Sequence, residues 1–175
     1  MNSLFRLTSL AATVAALALT AAPAQAATPT PPAQAKVKIV KAVSIARVFD
    51  LEFGTVVLSG PAGFTGAVVS VSSAGVRTCG ANLTCATSTV TAGEYKVTGS
   101  QGQTVNLTVP ASVVIQNAAL DSLTVNITGA PASLVLTNSG ATGDNFTFGG
   151  SISLDHATPD GDYSGDVVIT ANYPA

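Results

Sequence analysis

Two stretches decide the fold: Thr104-Val105-Asn106-Leu107-Thr108-Val109 and Leu123-Thr124-Val125-Asn126-Ile127-Thr128. In each, an apolar residue alternates with a small polar one. Period two places the apolar set on one face of an extended chain and the Thr and Asn set on the other, which describes a strand with one face buried and one wet. A helix would need apolar residues three and four apart, and neither stretch offers them.

The same pattern extends in both directions. Phe146, Phe148, Ile152 and Leu154 keep one parity, with Gly150 filling the gap. At the end of the chain, Tyr163, Val167, Ile169, Ala171 and Tyr173 share one face, and Ser164, Asp166, Thr170 and Asn172 take the other. Upstream, Tyr95 and Val97 alternate with Glu94, Lys96 and Thr98, and Ala67, Val69 and Val71 alternate before them. Leu51, Phe53, Thr55 and Val57 are expected on one face, and Val37 and Ile39 opposite Lys36 and Lys38. Clusters of Gly, Asn, Asp and Ser, such as Ser59-Gly60-Pro61-Ala62-Gly63, separate the runs. Many short strands with frequent turns predict an all-β sandwich or barrel.

Composition narrows the class. The 175 residues are 47% hydrophobic and 9% charged, too apolar for a disordered chain and too poor in charge for a coiled coil. The formal net charge of −2 gives no basic surplus for nucleic acid. At the N-terminus, one basic residue (Arg6) precedes the apolar Leu7–Ala22, and Ala24-Gln25-Ala26 supplies the small residues of a cleavage site. This is the pattern of a secretory signal peptide over residues 1–26, its apolar part short of the ~20 residues that span a bilayer. No later apolar run is long enough to cross as a helix, so the mature chain is expected to be exported: to periplasm, cell surface or medium. Six Phe, three Tyr and no Trp cannot build the two aromatic girdles of an outer-membrane barrel. Residues 27–35 form a Pro-rich linker, and residues 36–175 are expected to make a single domain. Charge is uneven along it. Lys36, Lys38, Lys41 and Arg47 stand near its start, whereas six Asp and no basic residue follow Lys96. Neutralisation within one molecule is the simpler expectation, and head-to-tail attraction between subunits the other.

The material for chemistry is scant. In an exported chain Cys79 and Cys85, in TCGANLTC, are expected to pair as a structural staple across a hairpin end. The single His156 follows Asp155 in what reads as a loop, and no Gly-x-Ser-x-Gly elbow frames a nucleophile. Asp160-Gly161-Asp162-Tyr163-Ser164-Gly165 spaces its oxygens like a calcium loop. Position 12 is Ala171, however, and a strand rather than a helix follows, so turn-then-strand is the simpler account. Whether Asp155, Asp160 and Asp162 cluster round an ion stays open. Asn-x-Thr triplets begin at Asn82, Asn106, Asn126 and Asn145, three of them within alternating runs where Asn and Thr fill a wet face. No catalytic, cofactor-binding or metal-binding residue is assigned, and no enzymatic activity is expected.

Three motifs carry a resemblance. Asp50-Leu51-Glu52-Phe53-Gly54-Thr55-Val56 resembles the opening "D-L-x-F-G-x-(V/I)" strand of a bacterial exported family named only as domain of unknown function 4402. Gly93-Glu94-Tyr95-Lys96-Val97-Thr98-Gly99 resembles its central strand, and Gly161-Asp162-Tyr163-Ser164-Gly165 through Tyr173 its last. The resemblance implies an immunoglobulin-like antiparallel β-sandwich with no agreed catalytic residues. The final strand, with Tyr173 near the end, also resembles those of fimbrial subunits and coat proteins of Gram-negative bacteria. That resemblance implies a pilin- or adhesin-like surface subunit self-associating by edge-strand pairing, with Lys36–Val48 or Tyr163–Tyr173 as the interface. A monomeric binding module for glycan or matrix is the alternative.

Overall fold

The computed structural model describes residues 30–174. The expected signal peptide, residues 1–26, lies outside them. From residue 30 to Val43 the chain forms no strand, and twelve strands follow. They are β1 (Ser44–Phe49), β2 (Val56–Leu58), β3 (Ala67–Val71), β4 (Arg77–Cys79), β5 (Leu83–Cys85) and β6 (Gly93–Thr98). The second half holds β7 (Thr104–Thr108), β8 (Ser112–Gln116), β9 (Ser122–Thr128), β10 (Ser133–Val135), β11 (Asp144–Leu154) and β12 (Thr170–Asn172). There is no helix among the described residues, and every strand pairing is antiparallel.

The strands form one large sheet and two small ones. The seven-stranded sheet runs β1-β6-β11-β3-β4, with β9 added on β11 and β8 on β9. The small sheets are β10-β7-β12 and β2-β5. β11 holds the large sheet together by changing partners along its length. Asp144–Phe148 pair with β6, Gly149–Ile152 with β9 and Gly150–Leu154 with β3. The change falls at two glycines, for a steric reason. A Cβ on Gly149 would lie 2.7 Å from the Ser72 carbonyl carbon, and one on Gly150 would lie 3.0 Å from the Asn126 carbonyl oxygen. Backbone cannot yield as a flexible side chain can, so only glycine lets three strands meet here.

The expected parity of β11 is present: Phe146, Phe148, Gly150, Ile152 and Leu154 are all buried. This single face feeds two hydrophobic cores. Phe146 and Phe148 join Val97, Val105, Leu107, Leu136 and Ile169 beneath the three-stranded sheet. Ile152 and Leu154 join Phe64, Val69, Leu83 and Val125 beneath the two-stranded sheet. Leu51 and Ile127 pack against both. Each large apolar side chain taken fully out of water contributes about 1.5–3 kcal/mol, so the cores supply most of the drive to fold.

One expected parity fails. Leu51 and Phe53 face inward, but Val56 and Leu58 follow them and Val57 stays 48% exposed. Gly54 sits at φ +66°, and this left-handed step resets which residues face the core.

Asp144, at the start of β11, caps the turn that precedes it. Its carboxylate accepts from the backbone N–H of Thr137 at 2.9 Å and of Asn138 at 3.0 Å, and from the Thr137 hydroxyl. The Thr137 hydroxyl bond most of all, with the bonds to Asn138, holds the carboxyl below the ordinary aspartate value.

Two predictions follow from this arrangement. Phe148→Ala should cost about 3–5 kcal/mol of stability in urea unfolding, since the ring is 1% exposed and leaves a cavity between the cores. Asp144's folded pKa lies below its unfolded one, so its contribution is complete above pH ~3.9 and disappears as pH falls through the folded value. The urea midpoint of the wild type should therefore fall more steeply with acidification than that of Asp144→Asn.

Candidate functional site

The two small sheets do not meet over the large one. One covers the Phe146–Phe148 end and the other the Leu83 end, and between them the inner face of β8, β9, β11 and β3 lies at the bottom of an open groove. Its volume is about 1170 Å³. Val69, Val113, Ile115, Leu123, Val125 and Ile152 line its floor. Arg47–Leu58 makes one wall and Thr158–Val167 the other.

The first wall has a polar anchor. Arg77, half-buried on β4, donates to the carbonyls of Phe53 at 2.8 Å, Thr55 at 3.3 Å and Ala86 at 2.5 Å, and to Ser88 Oγ at 3.3 Å. One planar guanidinium thereby fills the gap between the Val56–Cys85 ladder and the Glu52–Thr91 bridge and ties the two segments there, a geometry that a lysine ammonium cannot match. Gly54 makes the approach possible, because a Cβ there would lie 2.7 Å from Arg77 Nη1. The disulfide joins Cys79 to Cys85 with Cα atoms 6.1 Å apart. It does not staple a hairpin end, as expected from sequence. β4 pairs with β3 in the large sheet and β5 with β2 in the small one, so the bond clips two layers together across the turn at Asn82 (φ 69°). Closing so short a loop contributes about 2 kcal/mol.

The second wall is an extended segment fastened to its surroundings at Ser164 and Val167 and braced internally at Tyr163. Gln116 and Ser164 exchange backbone hydrogen bonds of 2.9 and 3.0 Å. The Tyr163 hydroxyl donates to the Pro159 carbonyl at 2.9 Å. Across the groove, the Tyr95 hydroxyl donates to the Val167 carbonyl at 2.9 Å. Burial raises the Tyr95 pKa, as does the proximity of Asp50 and Asp166, while Arg47 opposes them. Desolvation raises that of Tyr163, with Asp121 and Asp160 adding to it. Both phenols therefore stay neutral donors. Asn117 (8% exposed) sets the base of this wall: its Oδ1 accepts from the N–H groups of Ala119 and Asp121, and its Nδ2 donates to Asp121 Oδ2. Asp160, Asp162 and Asp166 stand exposed along the rim. Between Asp160 and Val168 the only backbone-to-backbone pairing among the described residues is that of Ser164 with Gln116. An open groove with an apolar floor and unpaired backbone along one wall can take up an extended chain by ladder hydrogen bonds and side-chain insertion.

The other residues singled out in the sequence lie apart from any such chemistry. Asp155 does not gather with Asp160 and Asp162: it accepts from the Gly66 N–H at 2.6 Å, and no three acidic, His or Cys side chains among the described residues could hold a metal ion. His156 is exposed, its ring edge-on to Phe64 at 6.0 Å. Asn106, Asn126 and Asn145 occupy exposed strand positions. The two segments expected to form an interface are partly used within the molecule. β1 pairs with β6, and Val43 and Ile45 pack on the core, so only the stretch before Val43 is free of a strand. β12 pairs with β7. Tyr173 binds back: its hydroxyl donates to the Lys41 carbonyl at 2.9 Å and accepts from Ser100 N–H at 2.8 Å. The groove itself was missed, and so was β8. Its run Ser112-Val113-Val114-Ile115-Gln116 hides the alternation behind three consecutive apolar residues, of which Val114 is 59% exposed.

Arg77→Ala should destabilise the fold by about 2–3 kcal/mol, because the half-buried carbonyls of Phe53 and Ala86 lose a charged donor at once. Arg77→Lys should recover only part of this, and equal urea midpoints for Lys and Arg would contradict the fork geometry.

No helix among the described residues is long and apolar enough to cross a membrane. Neither the curated proteins nor the solved structures hold a significant match to the chain. The family model described as Domain of unknown function (DUF4402) matches residues 43–173, from just before β1 to just past β12, and the chain belongs to that family.

Proposed function

We propose that this protein is an exported structural subunit of a bacterial cell surface, a fimbria-like or coat component that assembles by strand addition. In this reading the fold is an immunoglobulin-like sandwich whose second layer lacks a strand. A neighbouring chain supplies that strand. The observation that carries the reading is the groove of about 1170 Å³ beside a wall with a single backbone pairing. The unpaired backbone along that wall is the stronger part of it, because an unpaired strand edge is a template for another chain. The signal-peptide pattern of residues 1–26 and the fimbrial-like closing strand, with Gly161 before it and Tyr173 near its end, support the same reading.

A second reading, a monomeric module that binds glycan or matrix, draws on Phe49, which lines the groove and is 55% exposed. It is the weaker one, because the floor is aliphatic and the Tyr95 hydroxyl is already engaged by Val167.

The two separate in one experiment. Material sheared from the surface of the producing cells is run on a denaturing gel, heated and unheated. Strand addition predicts an unheated ladder that collapses to one band on heating. A single monomer band in both lanes would overturn it and leave the binding module.

A further inference from the structure

The groove lies near the C-terminal end of β1, with Arg47 and Phe49 among its lining residues. The chain preceding β1 is held at the opposite end, where the Lys41 N–H donates to Ser100 Oγ at 2.7 Å, the Lys41 carbonyl accepts from Tyr173, and Lys38 Nζ donates to Gln103. Ser44 to Phe49 separates these ends by roughly 16 Å at the usual rise of a strand. Lys38 and Lys41 are therefore fastened at the end of β1 away from the groove of their own molecule.

That segment has the chemistry of an incoming strand. In Lys36-Val37-Lys38-Ile39-Val40-Lys41, Val37 and Ile39 alternate with Lys36 and Lys38. Val37 is 83% exposed and Ile39 85%. The rim of the groove carries Asp160, Asp162 and Asp166, all exposed and sharing one parity. The expected neutralisation of the basic start by the acidic end within one molecule is not made by contact. The ion pair among the described residues is Arg47–Asp50, and neither Lys38 nor Lys41 reaches a carboxylate.

We infer that the occupant of the groove is the Lys36–Lys41 segment of a second copy of this chain. Val37 and Ile39 enter the apolar floor, the lysines lie against the aspartate rim, and the backbone pairs along Asp160–Val168. Donor and acceptor lie at opposite ends of β1, so the contact is heterologous and repeats head to tail into an open fibre. This rests on the strand-addition reading above and names its partner.

The test uses the full chain and two variants whose altered side chains are exposed, so that folding is preserved. The donor variant carries Val37→Asp and Ile39→Asp. The acceptor variant carries Asp160→Lys, Asp162→Lys and Asp166→Lys. Sedimentation velocity reads their association. The wild type should form a concentration-dependent series of oligomers that shortens as salt screens the lysine–aspartate contacts. Each variant alone should remain monomeric, with association weakened about a hundredfold in the donor variant, roughly tenfold for each apolar side chain withdrawn. Mixed one to one, they should give a dimer and stop, since only one intact donor meets one intact groove. If the wild type polymerises and the donor variant polymerises equally well, the segment is wrong and strand addition stands. If the wild type stays monomeric at every concentration, strand addition itself is overturned.

Discussion

The structure depends on one backbone constraint: three strands must pair with β11 around Gly149 and Gly150. A main-chain approach that leaves no room for a Cβ fixes where β6 ends its pairing and where β9 and β3 begin theirs. Because side chains alternate strictly, the same strand then presents Phe146 and Phe148 to one core and Ile152 and Leu154 to the other. The two halves of the molecule are thus registered against each other by an antiparallel ladder rather than by a shared cluster of side chains.

From that arrangement the groove follows. Covering both ends of a long, bent sheet with two separate small sheets leaves a seam between them. Arg77 and the Cys79–Cys85 bond hold one lip of the seam, and Asn117, Tyr163 and Tyr95 hold the other. Nearly every fastening is a hydrogen bond to backbone. The lips are therefore held apart by main-chain contacts, with the groove between them. The buried polar groups here hold loops in place.

Much of the fold was legible because alternation is a local signal. The runs around Val105, Val125 and Phe146 each announce a strand and its buried face without reference to any partner, whereas of the Tyr163–Tyr173 run only Thr170–Asn172 forms a strand. Where the signal failed, a local feature masked it. Gly54, with its positive φ, shifted the parity of Val56 and Leu58, and the unbroken Val113-Val114-Ile115 hid β8. Arg77 gave no warning at all. A lone arginine two residues before a cysteine reads as a surface charge until the carbonyls of Phe53, Thr55 and Ala86 are seen to converge on it.

By itself the sequence determined an all-β chain and the buried face of most strands, because each of these depends on residue type and spacing within a short stretch. The tertiary structure alone decided that the disulfide spans two sheets, that Asp155 stands apart from Asp160 and Asp162, and that an apolar floor lies open between two walls. These depend on which strands pair across long separations, and strand pairing is set by packing and backbone clearance that no local pattern encodes.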